Sequence, residues 1–193
     1  MPPFLFLRHG QSAANHERVI AGALDSPLTD LGEAQARDAA ALLAGAGIRR
    51  IVASPLRRAL RTAEIVAQAL GLPVTTDAGL VERRWGAWEG RLVADRPDYF
   101  MVPEGGESWE GFRDRAWVAL EPLLAAGPSP LLVVAHAGIM RVLRDRLGLA
   151  FEAKGVGNGL PVRFVPPDGP GGPWTADPVT KLQPEPASTQ PIV

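Results

Sequence analysis

Apolar residues along the chain form short continuous runs that alternate with longer stretches of helical periodicity. The three continuous runs are 4–7 (FLFL), 51–53 (IVA) and 131–135 (LLVVA). Short runs without polar alternation are typical of strands buried on both faces of a parallel sheet. Together with the helical stretches between them, they predict an α/β fold, a three-layer αβα sandwich with a mostly parallel central sheet.

Four helices are predicted where apolar residues recur three and four positions apart. The first carries Asp30 and Glu33 at the spacing of a capping box. The second is predicted to start with Ser54 as its N-cap and Pro55 at its first position. The third is predicted to start at Ser108, and the fourth follows the run 131–135.

A weaker apolar run, 160–165, and the segment after it mark the end of the predicted domain. Pro161 restricts that run to an edge strand or to the start of a strand. Residues 166–173 (PPDGPGGP) are all Pro or Gly except one, and no periodicity follows them. We predict one domain over 1–165, and over 166–193 a Pro/Gly-rich segment that leads into a mobile tail.

Charge and cysteine content narrow the function classes. The formal net charge of −1 provides no overall positive field for nucleic acid. The absence of cysteine excludes a disulfide scaffold, a Cys-based zinc site and a thiol nucleophile. The N-terminal apolar run is too short for a signal peptide, and no stretch approaches the roughly 20 apolar residues of a membrane span. We expect a cytoplasmic protein with no nucleic-acid or membrane partner.

Basic residues follow each of the three buried strands. Arg8 and His9 follow the first strand, Arg57 and Arg58 the second, and His136 the third. In open α/β sheets ligands bind outside the carboxyl ends of the strands, so these residues are expected to converge. Two arginines in the first turn of a helix are unfavourable beside its positive dipole end, unless an anion such as phosphate binds there.

Each of these residues also has an ordinary structural explanation. A histidine after a strand is usually a polar residue with its hydrogen bonds satisfied, and a pair of helix arginines is usually a solvated face. The joint placement at three strand ends favours a phosphate site over these separate explanations. No Gly-x-Gly-x-x-Gly follows the first strand, so a dinucleotide site is not indicated.

Five segments resemble, in order, the motifs of the histidine phosphatase, or phosphoglycerate mutase-like, superfamily. They are RHGQSAAN (8–15), SPLTDLGEAQA (26–36), SPLRRALRTA (54–63), ERRWGAWEG (82–90) and VVAHAGIMR (133–141). The resemblance covers roughly residues 4–165. It implies an enzyme that handles a small phosphorylated metabolite without a metal or other cofactor.

The resemblance also implies roles for individual residues. His9 would attack phosphorus and form a phosphohistidine, with its other ring nitrogen bonded near Gly10. Glu82 would protonate the leaving oxygen and later activate water. The phosphoryl oxygens would be surrounded by Arg8, Asn15, Arg58 and His136.

The acceptor of the phosphoryl group and the rim of the pocket are less strongly indicated. The phosphoglycerate mutases of this family have a longer chain, with an inserted helical region between the motif of the acid and that of the second histidine. Here only a short stretch separates Gly90 from His136, so the resemblance favours hydrolysis. Phosphoglycerate mutase-type transfer and a non-catalytic phosphate-binding module are the alternatives. Because ERRWG partly resembles the mutase form, Arg83 or Arg84 is predicted to meet a second anionic group. The rim itself is predicted at Gly22, Arg83, Ala137 and the segment 91–107.

Overall fold

One six-stranded sheet forms the centre of the fold. The computed structural model describes residues 1–150, 156–169 and 171–180. The strands are β1 (Phe4–Arg8), β2 (Arg50–Ala53), β3 (Val74–Thr76), β4 (Leu131–Ala135), β5 (Pro161–Val165) and β6 (Thr175–Pro178). Their order is β3-β2-β4-β1-β5-β6. Strands β1 to β4 pair in parallel, whereas β5 pairs antiparallel with β1 and β6 pairs antiparallel with β5. The predicted mostly parallel sheet is therefore confirmed.

Helices cover both faces of this sheet. They are α1 (Ala13–His16), α2 (Asp30–Leu43), α3 (Arg57–Leu70), α4 (Trp109–Ala125) and α5 (Ala137–Arg146). Alternate residues of β1 point to opposite faces, as strand geometry requires. Phe4 and Phe6 pack into a core with α4 and α5, whereas Leu5 and Leu7 pack into a second core with α2 and α3. The predicted three-layer sandwich is therefore confirmed.

Two helix starts differ from the prediction. The N-cap of α2 is Thr29, whose hydroxyl accepts the N–H of Gly32 at 3.1 Å, so Asp30 is the first helical residue. Helix α3 begins at Arg57, and its N-cap Leu56 makes no side-chain hydrogen bond. Ser54 therefore does not cap α3, because its hydroxyl contacts His136 instead.

The sheet continues beyond residue 165. Strand β6 pairs antiparallel with β5, with Val165 opposite Thr175. The sequence predicted no strand there, because TADP lacks apolar alternation and pairing with β5 determines its conformation. Pro161 is the first residue of β5, one of the two positions that the sequence allowed. Of the predicted segment 166–193, residue 170 and residues 181–193 lie outside the described residues, so the mobile tail and the division at residue 165 stay predictions.

The parallel register brings three strand ends together. Arg8 of β1 lies opposite Ala135 of β4, and Ala53 of β2 lies opposite Val134. The next residues along the chain, His9, Ser54 and His136, are therefore neighbours at one edge of the sheet. Backbone hydrogen bonds from His9 to Ala135 and from Ser54 to Val134, both 3.0 Å, extend the ladders to this edge. Within the described ranges, no helix has the length and apolar character needed to cross a membrane.

Candidate active site

A cavity of about 210 Å³ opens where these strands end. Seven of the nine residues that the sequence assigned to the site line it: Arg8, His9, Asn15, Gly22, Arg58, Glu82 and Ala137. His136 does not line it, but its ring centroid lies 5.2 Å from that of His9. Arg83 does not line it. The fold thus brings together residues from five separate parts of the sequence. The strand-end argument predicted the convergence of three of these parts, and the family resemblance supplied the other two.

His9 is a buried, oriented imidazole. Its side chain is 4% exposed, and Nδ1 lies 2.7 Å from the carbonyl oxygen of Gly10. Because a carbonyl only accepts, Nδ1 carries the proton and Nε2 keeps its lone pair. Burial lowers the pKa of His9 well below 6.5, and the Arg58 and Arg8 guanidinium groups lower it further. The ring is therefore neutral at pH 7.

Gly10 makes this arrangement possible by allowing a close backbone approach. A Cβ at this position would lie 2.2 Å from the carbonyl oxygen of Gly32, at the start of α2. No side chain fits there, so glycine is required by packing. The Gly10 N–H also donates to the Thr62 hydroxyl at 3.1 Å, which ties the loop after β1 to α3.

Arg58 and Arg8 place two positive charges beside His9 in the cavity. Arg58 is 1% exposed and donates to the carbonyls of Gly22 at 2.8 Å and Leu24 at 2.7 Å. Arg8 donates to the carbonyl of Val156 at 2.7 Å, and its Nε is buried without a partner among the described residues. Arg57, the other arginine at this strand end, is exposed and lines a separate surface cavity. Of the helix pair, only Arg58 belongs to the site.

His136 is completely buried and faces His9. Its Nε2 lies 2.8 Å from the Ser54 hydroxyl oxygen, and its Nδ1 has no hydrogen-bond partner within the described part of the chain. Burial lowers the pKa of His136 well below 6.5, and the Arg58 guanidinium lowers it further. Both imidazoles beside the cavity are therefore neutral.

Glu82 reaches the cavity from the loop after the short 3-10 helix Ala78–Leu80. Its Oε2 accepts the N–H of Gly138 at 2.9 Å, and its Oε1 accepts the N–H of Arg83 at 2.8 Å. The carboxyl group is thus held at the N-terminus of α5 by a backbone N–H of its first turn. Gly138 is needed for this approach, since a Cβ there would lie 2.0 Å from Oε1.

Arg83 is not at the predicted rim, and that prediction is wrong. The side chain is fully buried and donates to the carbonyls of Glu107, Met101 and Tyr99. Its guanidinium also stacks on Trp85, 4.5 Å from the ring centroid. Arg83 therefore fastens the segment 99–107 to the body of the domain. Arg84 is half-exposed and pairs with Glu107 at 3.6 Å.

Three cavity-side residues were not singled out from the sequence. Arg96 lines the cavity from inside the segment 91–107, which the sequence did assign to the rim. Asn158 donates to the His9 carbonyl at 2.9 Å and to the Asn15 side chain at 3.1 Å. Ser54 was interpreted as a helix cap. Arg96 and Ser54 had a signal in the sequence, since Arg96 lies in the segment 91–107 and Ser54 directly follows a predicted strand. Asn158 had none, because its position depends on a contact between residues 143 positions apart.

Residues 4–154 match the model of the histidine phosphatase superfamily, branch 1. The chain belongs to the histidine phosphatase superfamily. Among its relatives, a glucosyl-3-phosphoglycerate phosphatase of Mycolicibacterium vanbaalenii is 36% identical over 163 residues, which cover 74% of this chain and 72% of that protein. A probable phosphoglycerate mutase GpmB of Escherichia coli is 40% identical over 160 residues and 74% of each chain.

Solved histidine phosphatase structures share the fold. A mycobacterial glucosyl-3-phosphoglycerate phosphatase in complex with VO3 superposes with a TM-score of 0.75 at 31% identity, covering 85% of this chain and 91% of that one. A protein described as mycobacterial hydrolase 2 gives a TM-score of 0.77 at 29% identity, over 91% and 89% of the two chains. This histidine phosphatase is thus an enzyme of phosphate-ester chemistry, with phosphatases and a probable mutase among its relatives.

Proposed function

We propose that this histidine phosphatase hydrolyses a small phosphate monoester through a phosphohistidine on His9, without a metal ion. The observation that carries the proposal is the state of His9. It is neutral, its Nδ1–H is held by the Gly10 carbonyl, and its Nε2 lone pair is available in a cavity lined by Arg8 and Arg58. A nucleophile needs this combination of deprotonation and fixed orientation.

The first step forms the His9 Nε2–phosphorus bond and breaks the bond between phosphorus and the leaving oxygen. Charge in such a transition state is spread over the three other phosphoryl oxygens. Arg8, Arg58 and Asn15 line the cavity and offer donors for them. These groups are already held by the protein, so little reorganisation is required during the reaction.

Glu82 is the proposed proton donor and acceptor. In its acid form it delivers a proton to the leaving oxygen, and the carboxylate then takes a proton from water. That water attacks phosphorus as the nitrogen–phosphorus bond breaks. This step regenerates neutral His9 and releases inorganic phosphate. The fixed contacts of Glu82 with Gly138 and Arg83 support this role, because a general acid must be held within reach of the reacting oxygen.

The leaving group would extend into an adjoining cavity of about 630 Å³. This second cavity shares Arg8, Asn15, Val19 and Val93 with the first, so the two lie side by side. It combines apolar Leu92 and Ala94 with polar Arg18 and Asn158. We propose that it accommodates a sugar-sized group, which agrees with the name of the mycobacterial relative, a glucosyl-3-phosphoglycerate phosphatase.

Arg96 replaces Arg83 as the candidate for a second anionic group on the substrate. Its guanidinium carbon lies 5.6 Å from the Trp85 ring centroid and 5.7 Å from that of Tyr99. Within the described residues it makes no side-chain hydrogen bond or ion pair. A substrate carboxylate would supply this partner. We therefore propose a phosphorylated acid as the preferred substrate class.

Mutase-type transfer is the second candidate, and the relative named as a probable phosphoglycerate mutase favours it. A mutase also forms the phosphohistidine on His9, and it differs only in that a second substrate, and not water, accepts the phosphoryl group. The joint presence of His9, Glu82 and His136 around one cavity argues against a non-catalytic module.

The test is phosphate release from an aryl phosphate in the presence of EDTA. We expect release by the wild type and by His16→Ala, a matched control because His16 is exposed and outside the cavity. We expect none from His9→Ala. Activity in His9→Ala at the wild-type level, or complete loss in EDTA that added metal restores, would contradict the proposal. Interconversion of phosphoglycerates faster than their hydrolysis would favour the mutase.

A further inference from the structure

Ser54 occupies an unusual position for a residue next to a helix. It follows β2 directly and is completely buried, yet it does not cap α3. Its hydroxyl oxygen lies 2.8 Å from Nε2 of His136 and 3.4 Å from the N–H of Leu56. No step of the proposed reaction uses this hydroxyl group.

The direction of the Ser54–His136 hydrogen bond decides which nitrogen of His136 carries the proton. Ser54 already accepts the Leu56 N–H. If His136 Nε2–H also donated to it, the hydroxyl hydrogen would have no acceptor within the described residues. A buried donor without an acceptor is unfavourable. If the hydroxyl instead donates to Nε2, both of these groups are satisfied, the imidazole proton is on Nδ1, and only that N–H lacks a partner among the described residues.

The Nδ1 atom of His136 is the unpartnered one. It is buried and has no acceptor in the part of the chain that the structure describes. We propose that Ser54 holds His136 as the Nδ1–H tautomer, so that this N–H donates to an oxygen of the phosphoryl group at His9. The inference rests on the proposed function for its acceptor. Ser54 is a positioning residue in this account, since it acts through His136.

The two histidines would then present opposite tautomers to one phosphoryl group. On His9 the Nδ1–H is bonded to the Gly10 carbonyl, which leaves the Nε2 lone pair for phosphorus. On His136 the Nε2 lone pair is bonded to Ser54, which leaves the Nδ1–H for an oxygen. With ring centroids 5.2 Å apart, a group bound at His9 lies within reach of His136. Both rings are neutral, so each carries one proton that can be on either nitrogen. The Gly10 carbonyl selects the nitrogen on His9, and the Ser54 hydroxyl selects it on His136.

The tautomer can be measured directly by nitrogen-15 NMR of the full chain labelled at histidine. The chain has three histidines, and the third, His16, is exposed and serves as a reference. At neutral pH we expect a protonated Nδ1 on His136, and Ser54→Ala to lose this preference. Ser54→Thr, which keeps the hydroxyl, and Ser12→Ala, which removes another fully buried serine hydroxyl, should both retain it.

Kinetics test the consequence of the tautomer. We expect Ser54→Ala to lower kcat for an aryl phosphate about tenfold, because an ordinary hydrogen bond biases an equilibrium by roughly that factor. Ser54→Thr should restore most of the loss. Far-UV circular dichroism of each variant confirms that it is folded.

Three results separate this inference from the proposed function. A wild-type His136 with its proton on Nε2 would overturn the inference. A shifted tautomer in Ser54→Ala with unchanged kcat would also overturn it, because the N–H would then have no part in turnover. The predicted, Ser54-dependent tautomer in a wild-type enzyme without phosphatase activity would support the tautomer assignment and contradict the proposed function instead.

Discussion

Substitution of Gly138 by alanine tests the position of the Glu82 carboxyl group. Gly138 is the second residue of α5, and its N–H donates to Glu82 Oε2 at 2.9 Å. A Cβ at this position would lie 2.0 Å from Oε1 and 3.0 Å from a ring carbon of Phe112, whereas ordinary contacts begin at 3.4 Å. The carboxyl group would have to move by about 1.4 Å, since the Phe112 ring closes the other side.

The expected loss follows from that displacement. A misplacement of about 1 Å lowers rates roughly 100-fold, so we expect kcat for an alkyl phosphate to fall at least that far. An aryl phosphate has a better leaving group that needs less proton transfer, and its kcat should fall much less. The free energy of unfolding should change by no more than about 2 kcal/mol, because the helix preference for alanine over glycine, about 0.5–1 kcal/mol, offsets part of the cost of the displaced contacts.

The assay compares glycerol phosphate and nitrophenyl phosphate on the same preparations. Gly157→Ala is the matched control, because a Cβ there would meet nothing within 4 Å. It should turn over both substrates like the wild type. Equal losses on the two substrates in Gly138→Ala, or an alkyl phosphate rate within about twofold of the wild type, would refute the assignment of Glu82 as the acid.

Three further predictions concern neighbouring features. Arg83→Met should lower the free energy of unfolding by about 3 kcal/mol in urea titrations, because it removes a fully buried side chain whose hydrogen bonds hold three backbone carbonyls. Arg84 is half-exposed, so Arg84→Met should change it by less than about 0.5 kcal/mol; equal effects would contradict the role of Arg83. Arg96→Ala should raise KM about tenfold for a phosphorylated acid and leave KM for an aryl phosphate unchanged, and parallel changes would remove the second anion site. Because the pKa values of His9 and His136 are lowered mainly by burial, the unfolded chain binds more protons near pH 6.5. The free energy of unfolding is therefore fully retained above about pH 6.5 and declines as the pH falls below that value. His136→Gln should make this decline shallower. An unchanged dependence of the free energy of unfolding on pH would contradict the assignment to His136.

The sequence predicted the parts of the fold that depend on continuous apolar runs. Strands β1, β2 and β4 are buried on both faces, so their composition alone identified them. Strands β3 and β6 were missed, because Val74–Thr76 is partly exposed and Thr175–Pro178 is held by pairing with β5. Both lie at the outer positions of the sheet, where tertiary contacts outweigh the local pattern.

The candidate site divides in the same way. His9, the arginine pair of α3 and His136 could be predicted because parallel strand ends converge, whatever the details of the loops. Only the family resemblance singled out Arg58 from that pair. Arg83 could not, because its sequence neighbourhood suggested a cation for substrate, whereas its actual partners are carbonyls 16 to 24 positions along the chain. Ser54 was misassigned for a related reason: a serine before a proline has the signature of a helix cap, and only the fold brings it to His136.

The central claim is a covalent phosphoryl group on His9, and its most direct test is to trap that adduct. The enzyme is mixed with substrate, quenched in base to preserve the acid-labile nitrogen–phosphorus bond, digested and analysed by mass spectrometry. Cleavage after Arg8 and Arg18 releases residues 9–18, which contain both His9 and His16, so fragment ions must distinguish them. We predict phosphate on His9 and none in His9→Ala. A turning-over enzyme with no adduct at His9, or with the adduct at another residue, would contradict the account.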